Sequence, residues 1–216
     1  MANYPQLDDC SGVWTLKEVH DAVMGGYWRN ANSKGLHVGG GSPAAVKTID
    51  KITISAEGNS TDFGDLATAM SSQTGFSSFV RGCFAGGAPT IDTIEYVTFT
   101  TEGNGADFGN LTDGVNLAAG GSNSVRGLVA GGRDPGMSNI INYNTIASVG
   151  NSIDFGDLTQ SRAMFAAMTS PTRCVFAGGF TPSEVDTIDF VEISTTGNAT
   201  DFGDCVATQY NMAGTS

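Results

Sequence analysis

Two short motifs run through this chain in step with each other. Asp-Phe-Gly stands at Asp62-Phe63-Gly64, Asp107-Phe108-Gly109, Asp154-Phe155-Gly156 and Asp201-Phe202-Gly203, at spacings of 45, 47 and 47 residues. A Gly-Gly pair stands at Gly39-Gly40, Gly86-Gly87, Gly131-Gly132 and Gly178-Gly179, at spacings of 47, 45 and 47. Other columns follow the same period. Ile49, Ile94, Ile141 and Ile188 share one position, and Ile54, Phe99, Ile146 and Ile193 share another. A cation precedes each Gly pair by five residues: Lys34, Arg81, Arg126 and Arg173. A period in this range marks one supersecondary unit repeated, each copy unable to bury its apolar face alone.

Each unit reads as four short strands. In the last full copy these are residues 163–169, 173–177, 187–193 and 200–205. Along the third, Ile188, Phe190 and Glu192 point one way and Asp189, Val191 and Ile193 the other. Both faces are largely apolar, which suits a sheet packed between neighbours. Gly197-Asn198 makes the last turn, since both residues tolerate positive φ. Four-stranded units at this spacing predict the blades of a β-propeller. Gly reaches 30 residues and charged residues only 15%, which favours turns and sheet over helix.

The last copy is followed by residues 206–216, which align with the first strand of a blade, while the first copy begins at its second strand near Leu36. The expectation is an all-β, closed propeller of four blades over residues 31–216, the C-terminal strand completing the first blade and removing a sheet edge. Strand exchange between chains, giving an oligomer of the same blades, is the rival. Residues 1–30 lie outside the repeat. Thr15-Leu16-Lys17-Glu18 fits a capping box, and Gly25-Gly26 stops the short helix it would start. Trp14, Leu16 and Trp28 are its docking candidates, either as a plug on the blades or as a peptide for a larger assembly.

The pattern apolar-apolar-x-Gly-Gly, then an Ile/Val/aromatic strand, a turn and an aromatic strand resembles a kelch repeat. Val175-Phe176-Ala177-Gly178-Gly179, residues 188–193 and Phe202 carry it, over residues 34–216. Phe63, Phe108, Phe155 and Phe202 stand where kelch blades carry Trp. The string Ser11-Gly12-Val13-Trp14-Thr15-Leu16, followed by the Gly-Gly and Asp-Phe-Gly blades, is similar to proteins of tailed bacteriophages, marine and cyanobacterial ones among them. That resemblance implies a tail, fibre or other virion-associated protein, made in the host cytoplasm.

Net charge is −12, which repels phosphate backbones and argues against a nucleic-acid partner. No run of 18 apolar residues exists, so membrane insertion is not expected. The N-terminus has no basic n-region, so no secretory signal is read there. Cys10, Cys83, Cys174 and Cys205 make no CxxC pair, which points to small hydrophobes from a reducing compartment rather than a zinc site.

The recurrent Asp62, Asp107, Asp154 and Asp201 are the obvious candidates for Ca²⁺, but one such loop supplies too few ligands. No metal or cofactor is expected. The column Lys34, Arg81, Arg126 and Arg173 is expected to pair with those carboxylates, and Phe63, Phe108, Phe155 and Phe202 to pack between blades. His20 and His37 are the only histidines, and His37 occupies an apolar column with Phe84, Val129 and Phe176. No nucleophile elbow or phosphate loop appears, so no catalytic residue is assigned.

The copies differ most after Gly-Gly, which makes Arg133, Met137 and Phe180 the binding candidates. The expected function is a structural virion component that contacts other virion proteins, with a host-surface glycan or protein as a further partner and self-association in the particle as another. A free-standing binding module is the alternative, and a carbohydrate-active enzyme the third.

Overall fold

The computed structural model describes Lys17, residues 34–41 and residues 43–215. The chain divides into residues 1–33 and residues 34–216. Of the first unit only Lys17 is described, with helical backbone. The expected capping box, Trp14, Leu16 and Trp28 lie outside the described residues.

The second unit is all-β and antiparallel, one sheet per repeat. The first sheet has three strands, β1 (Lys34–Val38), β2 (Val46–Thr53) and β3 (Thr61–Met70). The second has four: β4 (Thr74–Ser77), β5 (Arg81–Ala85), β6 (Ile91–Thr98) and β7 (Ala106–Val115). The third contains β8 (Ala119–Ser122) and β9 (Arg126–Ala130), then β12 (Ile140–Thr145) and β13 (Ile153–Asp157). Between them, after Gly-Gly, lies a ribbon of β10 (Arg133–Asp134) and β11 (Gly136–Met137). The fourth sheet is β14 (Ala166–Thr169), β15 (Arg173–Ala177), β16 (Thr187–Glu192) and β17 (Thr200–Asp204). Its strands fall within three residues of the sequence reading.

One bulge recurs in all four sheets. Register shifts at Ile49/Asp50, Ile94/Glu95, Ile141/Asn142 and Ile188/Asp189. A bulge re-aims the side chain beside it, and here Glu95, Asn142 and Asp189 end up buried in the apolar interior.

Three cores join the sheets in sequence order. Phe63, Leu66 and Met70 of the first sheet pack on Phe84 and Val97 of the second. Phe108, Leu111 and Val115 meet Val129 and Ile146 of the third. Phe155 and Leu158 meet Phe176, Val191 and Ile193 of the fourth. Three of the four Asp-Phe-Gly phenylalanines anchor this packing: Phe63, Phe108 and Phe155 are 4%, 2% and 2% exposed, whereas Phe202, expected to pack likewise, is 56% exposed because no sheet of the described residues follows its own. Burying one such ring stabilises by roughly 1.5–3 kcal/mol. Gly64, Gly109 and Gly156, at φ 151°, 141° and 144°, face the next sheet so closely that a Cβ would lie 2.4–2.5 Å from the backbone of Gly103, Gly150 and Gly197. Only glycine permits both that backbone and that approach.

The chain end does not meet the expectation of a closing strand. Residues 206–215 form no strand, and among the described residues only β2 pairs with β1. The fourth sheet holds the tail instead. Gly179 donates to Gln209, Gln209 to Val185, and Asn211 to Met164. These bonds repeat earlier junctions, where Gly87 donates to Val115 and Met164 to Leu117. Ser72, Leu117, Met164 and Asn211 all adopt φ of 56–58° at this corner, a conformation that costs non-glycine residues about 1–2 kcal/mol.

Candidate functional site

The cation column does not pair with the Asp-Phe-Gly carboxylates. Arg81 lies over the Tyr96 ring, Arg126 over Tyr143 and Arg173 over Phe190, with guanidinium carbons 4.6, 4.8 and 4.8 Å from the centroids. Each of those rings meets the phenylalanine of its own Asp-Phe-Gly edge-on: Phe108 at 5.8 Å, Phe155 at 5.9 Å, Phe202 at 5.7 Å. The free N–H groups then reach the following sheet. Arg81 donates to the Ile146 carbonyl at 2.9 Å and Arg126 to that of Ile193 at 3.0 Å. In the first sheet Lys51 replaces the aromatic residue. Lys34 there donates to the Phe99 carbonyl, and Glu102 bridges Lys34 and Lys51. Those two ammonium groups hold the Glu102 carboxyl down at about 2.

The carboxylates are used locally. Asp107, Asp154 and Asp201 accept from the backbone N–H two residues on, at Gly109, Gly156 and Gly203. These are Asx-type turns, and all four Asp side chains are exposed. No group of three or more His, Cys, Asp and Glu side chains suited to a metal ion occurs among the described residues.

A buried ion pair lies where the sequence reading placed nothing. Arg162 and Asp189 are both 0% exposed, with Nη2 and Oδ2 2.9 Å apart. Arg162 also donates to the Thr187 and Phe176 carbonyls, and its Nε is buried without a partner. The Asp189 carboxylate accepts from the Thr159 hydroxyl at 2.6 Å and the Thr159 N–H at 3.2 Å. Desolvation lowers the guanidinium's hold on its proton, and the Asp189 charge opposes that. Arg162 occupies the column of Met70 and Val115; Asp189 that of Asp50, Glu95 and Asn142. An arginine where the two earlier copies carry Met70 and Val115, with an acid in a polar column, was the available signal.

The described residues form a cleft of about 380 Å³ where the first strands of successive repeats converge. Its walls include Lys34 and Leu36 from β1, Phe76 from β4, Phe84 from β5, Ser122 from β8 and Thr169 from β14. Ser122 accepts from the Ser77 N–H and donates to the Ser77 carbonyl, which ties β8 to β4. The floor is largely glycine backbone, so the site offers carbonyl and amide groups, serine hydroxyls and one ammonium group. Burial pushes the wall thiol Cys83 up to about 12, as it does Cys174. Neither is a nucleophile in that state. His37 is exposed at its strand position.

The loop candidates occupy equivalent corners of different sheets. Arg133 bridges Asn116 and Phe180 bridges Ala163, just as Ala88 bridges Ser71. Phe180 packs on Tyr210 of the tail at 5.6 Å, and Met137 ends the ribbon opposite Arg133. No protein-family model matches the chain. No curated protein matches it either.

Proposed function

We propose that the sheets are propeller blades and that the chain is a structural component of a tailed-phage particle. The observation that carries this reading is the uniform coupling of each sheet to the next. The same phenylalanine, the same glycine approach and the same cation-to-carbonyl bond recur at three successive junctions. Such coupling builds a stiff body of defined length, which is what a particle component requires. The described residues contain no constellation of nucleophile, base and oxyanion donors. The sequence resemblance to phage virion proteins supplies the setting.

The cleft beside Lys34 favours a ligand-binding role within that reading. A neutral, hydroxyl-rich ligand such as a host-surface glycan suits its backbone groups and serines. Mass spectrometry of purified particles, with antibody labelling in electron micrographs, tests the placement. The chain should co-purify at constant stoichiometry; absence from particles that contain the other structural proteins refutes it. A glycan array tests the ligand, with Ser122→Trp expected to abolish any binding at the cleft.

A further inference from the structure

Each junction between neighbouring sheets is built from the same set of contacts. Gly103, Gly150 and Gly197 donate to the carbonyls of Phe63, Phe108 and Phe155 in the preceding sheet. Gly105, Ser152 and Ala199 donate to those of Asp65, Asn110 and Asp157. The N–H groups of Asp65, Asn110 and Asp157 donate in return to the side-chain oxygens of Asn104, Asn151 and Asn198. One turn further, Ala67, Thr112 and Thr159 donate to the buried Glu95, Asn142 and Asp189. The cation-to-carbonyl bond completes the set.

The two ends of the array carry the two halves of one more junction. On the fourth sheet Phe202 is 56% exposed and Val206 wholly so. A Cβ on Gly203 would meet nothing within 4 Å. Arg173, whose counterparts reach a carbonyl of the next sheet, pairs with Glu192 of its own. On the first sheet Ile52 and Ile54 are 47% and 69% exposed, whereas Val97, Phe99, Ile146, Val191 and Ile193 in the same columns are at most 7% exposed. Gly58, Asn59 and Ser60 are exposed, and Asp50 is only half-buried. Each of these stands in the column of a residue that makes a junction bond elsewhere.

We infer that the fourth sheet of one copy stacks on the first sheet of a second copy, repeating the internal junction between chains. Gly58 and Ser60 then donate to Phe202 and Asp204, Asn59 accepts from the Asp204 N–H, and Asp50 accepts from that of Val206. Arg173 turns from Glu192 to the Ile54 carbonyl, and Phe202 enters the apolar face at Ile52 and Ile54. The occupant is a second copy because the surface required is the one this chain presents at its other end. The contact is head-to-tail, so each copy still has a free end until a ring closes.

Light scattering coupled to size-exclusion chromatography of the full chain tests this. Wild type should have a mass of two or more chains. Ile54→Asp alone and Phe202→Asp alone should each reduce it to one chain, with unchanged circular dichroism because both positions are exposed. Mixed in equal amounts, the two variants should form a 1:1 pair, since each supplies the half-junction the other lacks. A single-chain mass for wild type, or no pairing in the mixture, overturns the inference. An oligomer that appears only after deletion of residues 1–33 assigns the surface to that segment and also overturns it. Asn59→Cys with Asp204→Cys, in a Cys10→Ala and Cys205→Ala background, should give a disulfide between chains on oxidation. A disulfide confined to one chain means that the ring closes within the molecule and refutes the second copy.

Discussion

Replacing Asp189 by alanine isolates the energetics of the buried ion pair. The substitution removes the carboxylate that accepts from Arg162 at 2.9 Å and from Thr159 at 2.6 and 3.2 Å. The guanidinium remains, fully buried, held only by the Thr187 and Phe176 carbonyls. Stranding a buried charge in this way costs about 3–5 kcal/mol. For a unit of this size each kcal/mol moves the midpoint by about 2–4 °C, so Tm should fall by roughly 6–20 °C. The earlier repeats supply the control. Met70 stands in the column of Arg162, and Asn142 in that of Asp189, where its side-chain oxygen accepts from Thr112 as Asp189 does from Thr159. Arg162→Met with Asp189→Asn should therefore recover most of the loss, because a well-packed neutral replacement of a buried pair is close to neutral or stabilising. Differential scanning calorimetry and urea titration of the three proteins decide it. If Asp189→Ala stays within about 1 kcal/mol of wild type, or the double variant is as unstable as the single, the pair does not hold the junction as argued.

Phe108→Ala should destabilise by about 3–5 kcal/mol. Phe202→Ala, measured in urea at concentrations where chains are separate, should cost under about 1 kcal/mol. Gly109→Ala drives a Cβ to 2.5 Å from the Gly150 carbonyl carbon and should disrupt the second junction, whereas Gly203→Ala meets open space and costs only its positive-φ strain, about 1–2 kcal/mol. Cys83 and Cys174, both pushed up to about 12, should resist alkylation at pH 8 in the folded protein and react on unfolding, as read by mass spectrometry. Glu102 has a folded-state value of about 2 against an ordinary 4.5, so its stabilising contribution is complete above that ordinary value and is lost as pH falls toward 2. Glu102→Gln should flatten the decline in urea midpoint between pH 4.5 and 2.

What could be read from the sequence is what recurs in every copy. The columns at Ile188, Phe155 and Gly178 gave the strands, the buried ring and the turn, because one set of steric demands acts at each junction. The partners of the cations are not legible in this way: charge suggests carboxylates, whereas geometry gives Arg81, Arg126 and Arg173 an aromatic ring on their own sheets and gives Arg81 and Arg126 a carbonyl on the next. The Asp107, Asp154 and Asp201 side chains are already engaged two residues downstream in their own turns. The tail was misjudged for a related reason: matching residues 206–216 to a first strand fixes its alignment with the repeat, not the neighbour it pairs with. Arg162 is not legible in this way because it occurs in a single copy, and recurrence marks only what the copies share.

That singularity bears on how near-identical sheets find the right neighbours. The bulge beside each central isoleucine delivers a polar group to the same column, Asp50, Glu95, Asn142 and Asp189, and the last three are buried at a junction. Opposite it lies methionine, valine or arginine according to the junction. A fourth sheet that docked on the first or second instead would set Asp189 against Met70 or Val115 and strand its buried charge without the arginine, at a cost of several kcal/mol. This buried charged lock therefore works as an address, and it tells otherwise interchangeable modules the order in which to assemble.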